Sequence, residues 1–274
     1  MADDDLDELA VGTALTTVWL GRPYYYAASI DSTNDRLKVR ADDPTYANGT
    51  VLLADFQSAG RGRMERRWEA PPGTSLLFSV LLRPDLPAER GGWLVMAAGL
   101  AVAEAIEAAL PLSVGLKWPN DVMLADGSIP GGWRKVCGML LDTVLGPTGR
   151  LESAVIGIGL NVNIPPEALP AAITPATSLL AIAGTPVARR PLLIGLLERL
   201  ERRFDVVLGG ASPAPEWAAR LVTLGQPVEV SAVGATESLI GVAEGLDEWG
   251  QLLVRDAAGR LHAVAAGDVT LRGR

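Results

Sequence analysis

The feature that most constrains this chain is a run of four arginines and two glycines within the eight residues 60–67. Apolar segments typical of strands lie on both sides, at residues 51–56 and Ser75–Leu82, and the second is apolar enough to be buried on both faces. Glycine permits positive φ and close backbone approach, and guanidinium groups form planar pairs with phosphate and carboxylate oxygens. The run therefore predicts a loop that folds over an anionic ligand. The alternative, a solvated basic turn, fits poorly in a chain whose formal net charge is -8.

The composition excludes several classes of protein. With 274 residues, 49% of them hydrophobic, the chain is long enough for one large domain or a main domain with a small companion. One cysteine and one histidine exclude an internal disulfide and zinc sites of the Cys/His kind, and they fit a reducing compartment. The histidine, His262, lies in a late strand-like segment without a nucleophile motif nearby, so we discount a Ser-His-Asp triad. The net charge argues against binding of nucleic acid or anionic membranes by the whole surface.

Two segments bear on membrane targeting. Residues 1–10 are acidic and lack the basic and apolar regions of a secretory signal. The longest apolar tract, residues 93–110, is interrupted by Glu104 and Glu107, which fall on one side of a helix. This pattern predicts a buried amphipathic helix rather than a membrane span, and a soluble cytoplasmic protein.

The pattern of predicted secondary structure changes after residues 209–210. Before them the pattern predicts long strands and helices, with strands at 24–30, 51–56, 75–82, 114–118, 135–143 and 151–161 and helices at 93–110 and 191–208. After them come short strands separated by turns, at 228–231, 239–245, 251–256, 261–265 and 269–271, which are typical of a small barrel. We therefore predict a main region, residues 1–222 with an acidic, loose stretch at 1–20, and a small β-barrel at 226–274.

Several polar groups fall at strand ends, where open sheets place ligand-binding side chains. The hydroxyl and amide groups of residues 31–34 (DSTN) can cap a helix, or they can bind the polar head of a small ligand. Lys117 and the pair Asn120-Asp121 end one strand, Lys135 opens the next, and the glycines of GIGLN end another. Buried lysines that face a cleft need an anionic partner. Together these groups suit a carboxylate beside a nucleotide phosphate.

In this order the motifs resemble those of the biotin protein ligases, also called biotin–acetyl-CoA-carboxylase ligases. The matching pieces are DSTN (31–34), Q-x-x-GRGR (57–63) with Trp68, KWPND (117–121), KVCGML (135–140) and GIGLNVN (157–163). The resemblance implies an α+β fold, in which a mixed β-sheet of the class II synthetase-like, biotin–lipoyl ligase type is flanked by helices. It also implies that the small C-terminal domain is an SH3-like β-barrel.

The resemblance further implies a two-step acyl transfer. Biotin and MgATP would give biotinyl-5′-AMP and pyrophosphate, and a lysine of a biotin carboxyl carrier domain would then attack the mixed anhydride. The implied catalytic residues are Lys135, Arg63 and Asp121, and no protein metal site is expected. The implied biotin-binding residues are Ser32, Thr33, Asn34, Gln57, Gly60, Arg61, Gly62, Arg63, Lys135 and Gly138. The implied ATP-binding residues are Arg63, Arg66, Trp68, Lys117, Asn120 and Asn161.

The chain departs from the family pattern at one position and lacks one feature of some members. The family loop commonly reads GRGRxGR before the tryptophan, and Glu65 stands at its third glycine, where a side chain restricts the backbone. Only thirty residues precede Asp31, too few for the DNA-binding winged helix of some members. We therefore expect a ligase without repressor activity or nucleic-acid partner, either a monomer or a weak homodimer.

Two other functions remain open at this point. A lipoate or octanoate protein ligase would share the fold and the adenylate chemistry, although the GRGR loop, KWPND and the terminal barrel favour biotin. A non-catalytic biotin-binding sensor or a DNA-binding regulator belongs to a different class. Retention of Lys117, Lys135 and Arg63 disfavours the sensor, because binding alone would not require so many cations.

Overall fold

The computed structural model describes residues 4–129, 131–170, 174–232 and 238–271, and these form two β-sheets and six α-helices. The strands of the larger sheet are β1 (Tyr24–Ala27), β2 (Val51–Ala54), β3 (Ser75–Leu82), β4 (Val114–Lys117), β5 (Asp121–Ala125), β6 (Trp133–Leu145) and β7 (Leu151–Asn161). Their order is β1-β2-β3-β7-β6-β5-β4. Only the β1–β2 pair is parallel among the neighbours in this order, so the sheet is mixed.

The helices cover both faces of this sheet. They are α1 (Glu8–Gly12), α2 (Thr33–Val39), α3 (Gly91–Ala109), α4 (Leu179–Ala183), α5 (Arg189–Leu208) and α6 (Ala214–Ala219), with short 3-10 turns at Ala88–Arg90 and Pro166–Ala168. β3 contacts α2 and α5, and all eight of its residues are buried. The prediction of a strand buried on both faces is therefore confirmed, and the predicted α+β class with a mixed sheet flanked by helices is observed.

The long apolar helix α3 is part of the core. By length and composition it could cross a membrane, but most of it is buried inside the fold. It is buried on nearly all sides, so the predicted amphipathic pattern is confined to its last turns. There Glu104 pairs with Arg203 of α5, and Glu107 accepts a hydrogen bond from Arg220 at 2.7 Å. These pairs explain why a core helix carries two carboxylates.

The C-terminal region forms a separate five-stranded antiparallel sheet. Its strands are β8 (Pro227–Ala232), β9 (Leu239–Leu246), β10 (Leu252–Asp256), β11 (Leu261–Val264) and β12 (Gly267–Leu271), in the order β11-β10-β9-β8-β12. Two buried indoles of the main region fix its β9–β10 turn. Trp93 Nε1 donates to Glu248 O at 3.1 Å, and Trp118 Nε1 donates to Gly250 O at 3.0 Å. A Cβ on Gly250 would lie 2.2 Å from Met96 Cε, so the turn meets α3 without room for a side chain.

Three elements differ from the sequence-based prediction. β5 was not predicted, because its first residue belongs to the KWPND motif, which was interpreted as the end of a strand. α4 and α6 were also missed, since each is only five or six residues long and lies in an Ala/Pro-rich segment. The remaining strands and the helices at 93–110 and 191–208 were placed within a few residues of their observed bounds.

Candidate active site

A cavity of about 460 Å³ opens between the larger sheet, the start of α2 and the loop that follows β2. Its walls also include Asp268 from the C-terminal sheet. Every residue that the sequence suggested for the site lines this cavity except Gly60 and Lys117. The strand order explains this convergence, because β6 and β7 are neighbours and both β3 and β5 flank them.

One wall of the cavity is formed by a network of uncharged groups, which we call the polar floor (Thr33, Asn34, Gln57 and Ser79). The first three line the cavity, and Ser79 is buried behind them. Thr33 N and Oγ1 both donate to Gln57 Oε1, at 2.7 and 3.1 Å, and Thr33 Oγ1 lies 2.7 Å from Ser79 Oγ. Ser79 Oγ in turn donates to Asn34 Oδ1 at 2.7 Å. Ser32 caps α2 by accepting from Asp35 N at 3.3 Å, so the capping role of this motif is realised beside the cavity.

Asn34 uses both ends of its amide inside the protein. Its Nδ2 donates to Asp142 Oδ2 at 2.9 Å, while its Oδ1 accepts from Ser79. A Cβ on Gly157 of β7 would lie only 2.4 Å from Asn34 Oδ1, and so the strand needs glycine there. The polar floor is therefore set by contacts among α2, β3, β6 and β7 that exist before any ligand arrives.

The opposite wall is the basic segment, which we call the arginine loop (residues 60–68). Trp68 N donates to Gly60 O at 3.0 Å, and Gly62 N donates to Arg66 O at 2.7 Å, so the loop folds back on itself as a hairpin. At its tip Met64 and Glu65 have φ values of 53° and 59°. Both are left-handed conformations that glycine adopts freely and other residues adopt at a cost. Glu65 therefore strains the tip of the loop.

Trp68 joins the loop to the sheet. Its indole lies over Gly138 of β6 and Gly159 of β7, which face each other across the β6–β7 pair. A Cβ on either glycine would come within 2.7 Å or less of the ring, so both positions must stay small. Lys135 Nζ lies 5.3 Å from the ring centroid, and Trp68 Nε1 is buried without a hydrogen-bond partner among the described residues.

Four cationic groups of the site, Arg61, Arg63, Arg66 and Lys135, contact carboxylates of the protein. Lys135 Nζ lies 2.7 Å from Asp121 Oδ1. Arg63 and Arg66 both pair with Asp268. The cavity thus holds fixed positive charges whose present partners are carboxylate oxygens, the same kind of group that an acidic ligand would offer.

Arg61 and Arg63 point to different sides of the cavity. Arg61 Nη1 contacts Asp35 of α2 and, at 3.3 Å, Asp142 of β6. Arg63 Nη1 donates to Asn120 Oδ1 at 3.1 Å, and Asn120 is held by donating from Nδ2 to Met139 O at 2.6 Å. Burial lowers the pKa of the Arg63 guanidinium from its ordinary value, and the nearby Asp121 carboxylate opposes that shift.

Asn161 extends the polar lining beyond the arginines, and Lys117 lies just behind it. Lys117 is 8% exposed, donates to Thr174 Oγ1 at 2.9 Å and stands behind the cavity wall. Burial lowers its pKa, and the Asp121 carboxylate partly offsets that effect. Asn161 Nδ2 donates to Thr177 O at 2.9 Å, while its Oδ1 is buried and has no partner in the described part of the chain. That oxygen is available to a donor on a ligand.

Sequence reasoning did not single out Ser79, Asp142 or Asp268. Ser79 had a usable signal, since it is a polar residue in an otherwise apolar strand that was expected to be buried. Asp268 had none, because it reaches the site from the C-terminal sheet, and Asp142 lies on the same strand as Lys135 but outside the quoted motif. Gly157 and Gly159 lay within the quoted GIGLN motif, but sequence reasoning assigned them no separate role.

Comparison with known proteins bears on both parts of the chain. Residues 26–161 match the family described as Biotin/lipoate A/B protein ligase, and residues 223–272 match the Biotin protein ligase C terminal domain. A biotin--[acetyl-CoA-carboxylase] ligase of Mycobacterium tuberculosis is 36% identical over 271 residues, covering 96% of this chain and 95% of that protein. The bifunctional ligase/repressor BirA of Bacillus subtilis is 30% identical, covering 97% of this chain and 79% of that protein.

A solved structure shows the same arrangement of elements. The biotin protein ligase of Aquifex aeolicus in complex with biotin and ATP superposes with a TM-score of 0.72 at 29% identity. The match covers 92% of this chain and 99% of that one, so both sheets are included in the comparison.

Proposed function

The chain belongs to the biotin/lipoate A/B protein ligase family, among its biotin protein ligases, and we propose that it activates biotin with ATP and transfers it to a carboxylase lysine. Two relatives that match 96% and 90% of the chain are named for biotin and for acetyl-CoA carboxylase, which favours biotin over lipoate. The enzyme is then an ATP-dependent, AMP-forming biotin–[acetyl-CoA-carboxylase] ligase.

The observation that carries this function is the division of the cavity into a neutral polar wall and a cationic wall. Two anions, a carboxylate and the α-phosphate of ATP, must approach each other for adenylate formation. Their repulsion is offset only where fixed cations are aimed at both. Lys135 and Arg63 supply such cations beside a buried network that suits an uncharged, hydrogen-bonding head group.

In the first step the biotin carboxylate oxygen attacks the α-phosphorus, and the bond to the β-phosphate oxygen breaks to release pyrophosphate. Lys135 and Arg63 hold the carboxylate and the α-phosphate. The head group binds at the polar floor, with Ser32, Thr33, Asn34 and Gln57. Gly138 leaves room for it on β6, and Gly60, Arg61 and Gly62 belong to the covering loop.

In the second step an uncharged lysine amine of the acceptor attacks the acyl carbon, and AMP leaves with the electron pair of the broken acyl–phosphate bond. Asp121 is the carboxylate placed to accept the proton of the incoming ammonium group. Its contact with Lys135, 2.7 Å, puts this base next to the cation that holds the reacting carboxyl. The acceptor is the biotin carboxyl carrier domain of an acyl-CoA carboxylase.

The remaining polar residues bind the nucleotide in this proposal. We assign Arg66, Trp68, Lys117, Asn120 and Asn161 to ATP. Mg²⁺ enters with the nucleotide, because it keeps most of its water and phosphate ligands and needs few from protein. No group of three metal-binding side chains occurs within the described ranges, so we assign no protein ligand to the ion.

Further assignments belong to the same proposal. Residues 1–222 form the catalytic region and residues 226–274 the small β domain, a division that the separate C-terminal match supports. The acidic net charge of -8 supports the absence of a nucleic-acid partner. We expect a cytoplasmic monomer or weak homodimer, which sedimentation can measure.

Biotin-dependent release of pyrophosphate from MgATP tests the first step. We expect release with biotin and none with lipoate, and we expect a purified carrier domain to become labelled on one lysine. A variant at an exposed cation outside the cavity, Arg202→Ala, controls for general effects of charge and should behave like the wild type, because Arg202 pairs with Glu104 away from the site. Release with lipoate alone would replace the biotin assignment, and tight biotin binding without any release would indicate a sensor.

A further inference from the structure

Asp268 is a carboxylate that the C-terminal sheet inserts among the arginines of the loop. It lies on β12 and lines the cavity, and its side chain is 29% exposed. Its Oδ1 is 3.4 Å from Arg63 Nη1, and its Oδ2 contacts Arg66. The preceding carbonyl, Gly267 O, accepts from Arg63 Nη2 at 2.9 Å. One strand end therefore holds both guanidinium groups.

The position of this carboxylate is fixed by the fold and not by the loop. β12 pairs along its length with β8, which places Asp268 opposite Ser231. The same sheet is anchored to the main region at its β9–β10 turn by Trp93 and Trp118. Because Trp118 belongs to the KWPND segment, the sheet contacts the nucleotide side of the site at two separate places.

This arrangement creates a competition for the two arginines. A bound phosphate chain needs the forked donors of Arg63 and Arg66, which are now occupied by Asp268 and Gly267 O. A carboxylate that stayed beside the phosphates would repel them, because like charges at close range raise the energy of the complex. A single carboxylate ligand carries no more charge than Asp268, whereas a triphosphate does.

We propose that Asp268 is a specificity-determining residue of the nucleotide step, whose carboxylate holds Arg63 and Arg66 until the phosphates of a nucleoside triphosphate displace it. This inference rests on the proposed function, since it takes the two arginines to be phosphate ligands. A polyphosphate carries enough charge to offset the free energy lost when Asp268 leaves Arg63 and Arg66, whereas a simple monoanion does not. The acidic strand end thereby disfavours occupation of the phosphate site by smaller anions.

The test is the nucleotide dependence of the Asp268→Asn variant. Removing the charge while keeping the shape should lower KM for ATP by about fivefold, the equivalent of one partly exposed ion pair, and leave KM for biotin unchanged. Direct titration with inorganic pyrophosphate should show tighter binding by a similar factor. A second variant that removes the charge, Asp268→Ser, should shift both quantities in the same direction.

Glu244→Gln is the matched control, because Glu244 pairs with Arg255 on the same sheet and does not line the cavity. It should leave both Michaelis constants at their wild-type values. An unchanged or higher KM for ATP in Asp268→Asn would overturn the proposal, since a residue that merely positions the arginines would weaken nucleotide binding when removed. If the wild type released no pyrophosphate, the proposed function would fail, while the pyrophosphate titration would still test Asp268.

Discussion

The polar floor and the arginine loop face each other across one cavity, yet they are built in opposite ways. The floor is made of neutral groups whose hydrogen bonds join α2 to β3 and to Gln57, which follows β2. The loop is held by ion pairs to carboxylates on other elements, and its tip has two strained residues. Folding therefore completes the floor, whereas a ligand must exchange the contacts of the loop. The head group should meet a preformed site and the phosphates a site that rearranges.

Replacing Lys135, which lies between the two regions, should have the largest effect. Lys135→Ala removes the cation that holds the reacting carboxyl and leaves Asp121 without its partner. We expect kcat/KM for biotin-dependent pyrophosphate release to fall by about 10²- to 10³-fold. A loss below about tenfold, with Arg202→Ala unchanged, would show that catalysis depends on the loop arginines instead.

Two glycines lie on the same face of β7, and substitutions at them test the polar floor and the arginine loop separately. Gly157→Ala places a methyl group against Asn34 of the floor, whereas Gly159→Ala places one against the Trp68 indole of the loop. We expect Gly157→Ala to reduce the free energy of unfolding by about 1–3 kcal/mol. Gly159→Ala should cost less stability but change the Trp68 fluorescence and raise KM for ATP, because the Trp68 side chain, which we assign to the nucleotide, can move aside. If both variants lost the same free energy of unfolding in chemical denaturation, the result would contradict the distinction between a rigid floor and an adaptable loop.

Removing one hydroxyl of the floor tests whether the network is complete before ligand binding. Ser79→Ala leaves Asn34 Oδ1 without its donor and removes one of the two contacts of Thr33 Oγ1, so it should destabilise the fold by about 1–2 kcal/mol. Ser75→Ala on the same strand is the control, because the Ser75 hydroxyl is buried with no partner among the described residues. Comparable destabilisation by both variants would mean that the hydrogen bonds of Ser79 contribute nothing of their own.

The smallest effect concerns the strained tip of the loop. Glu65→Gly and Glu65→Ala both remove the carboxylate, but only glycine adopts a φ of 59° without cost. The glycine variant should be more stable than the alanine variant by about 1 kcal/mol in urea denaturation. Equal stabilities would indicate that the hairpin of the loop opens before the fold does.

Much of the fold follows from local pattern. β3 was predicted with its observed bounds, because an eight-residue apolar run flanked by turns has few other structures available. β5 was missed for a physical reason of its own. It is created by pairing with β4 and β6 and carries little signal in its own sequence.

Only those site residues that lie within recognisable motifs could be predicted from the sequence. DSTN, GRGR and KWPND named the residues that line the cavity, and the departure at Glu65 pointed to the position where the structure has positive φ. Asp142 and Asp268 could not be found this way. They meet the loop only through the pairing of distant strands, which no spacing along the chain records.

The measurement that tests the divided site most directly is amide hydrogen exchange with and without biotin and MgATP. We predict that ligands slow exchange in residues 60–68, where present contacts are replaced, and leave β3 and β7 almost unchanged, since their hydrogen bonds are already made. Protection that rises equally in the strands and the loop, or a loop that does not respond at all, would contradict the account.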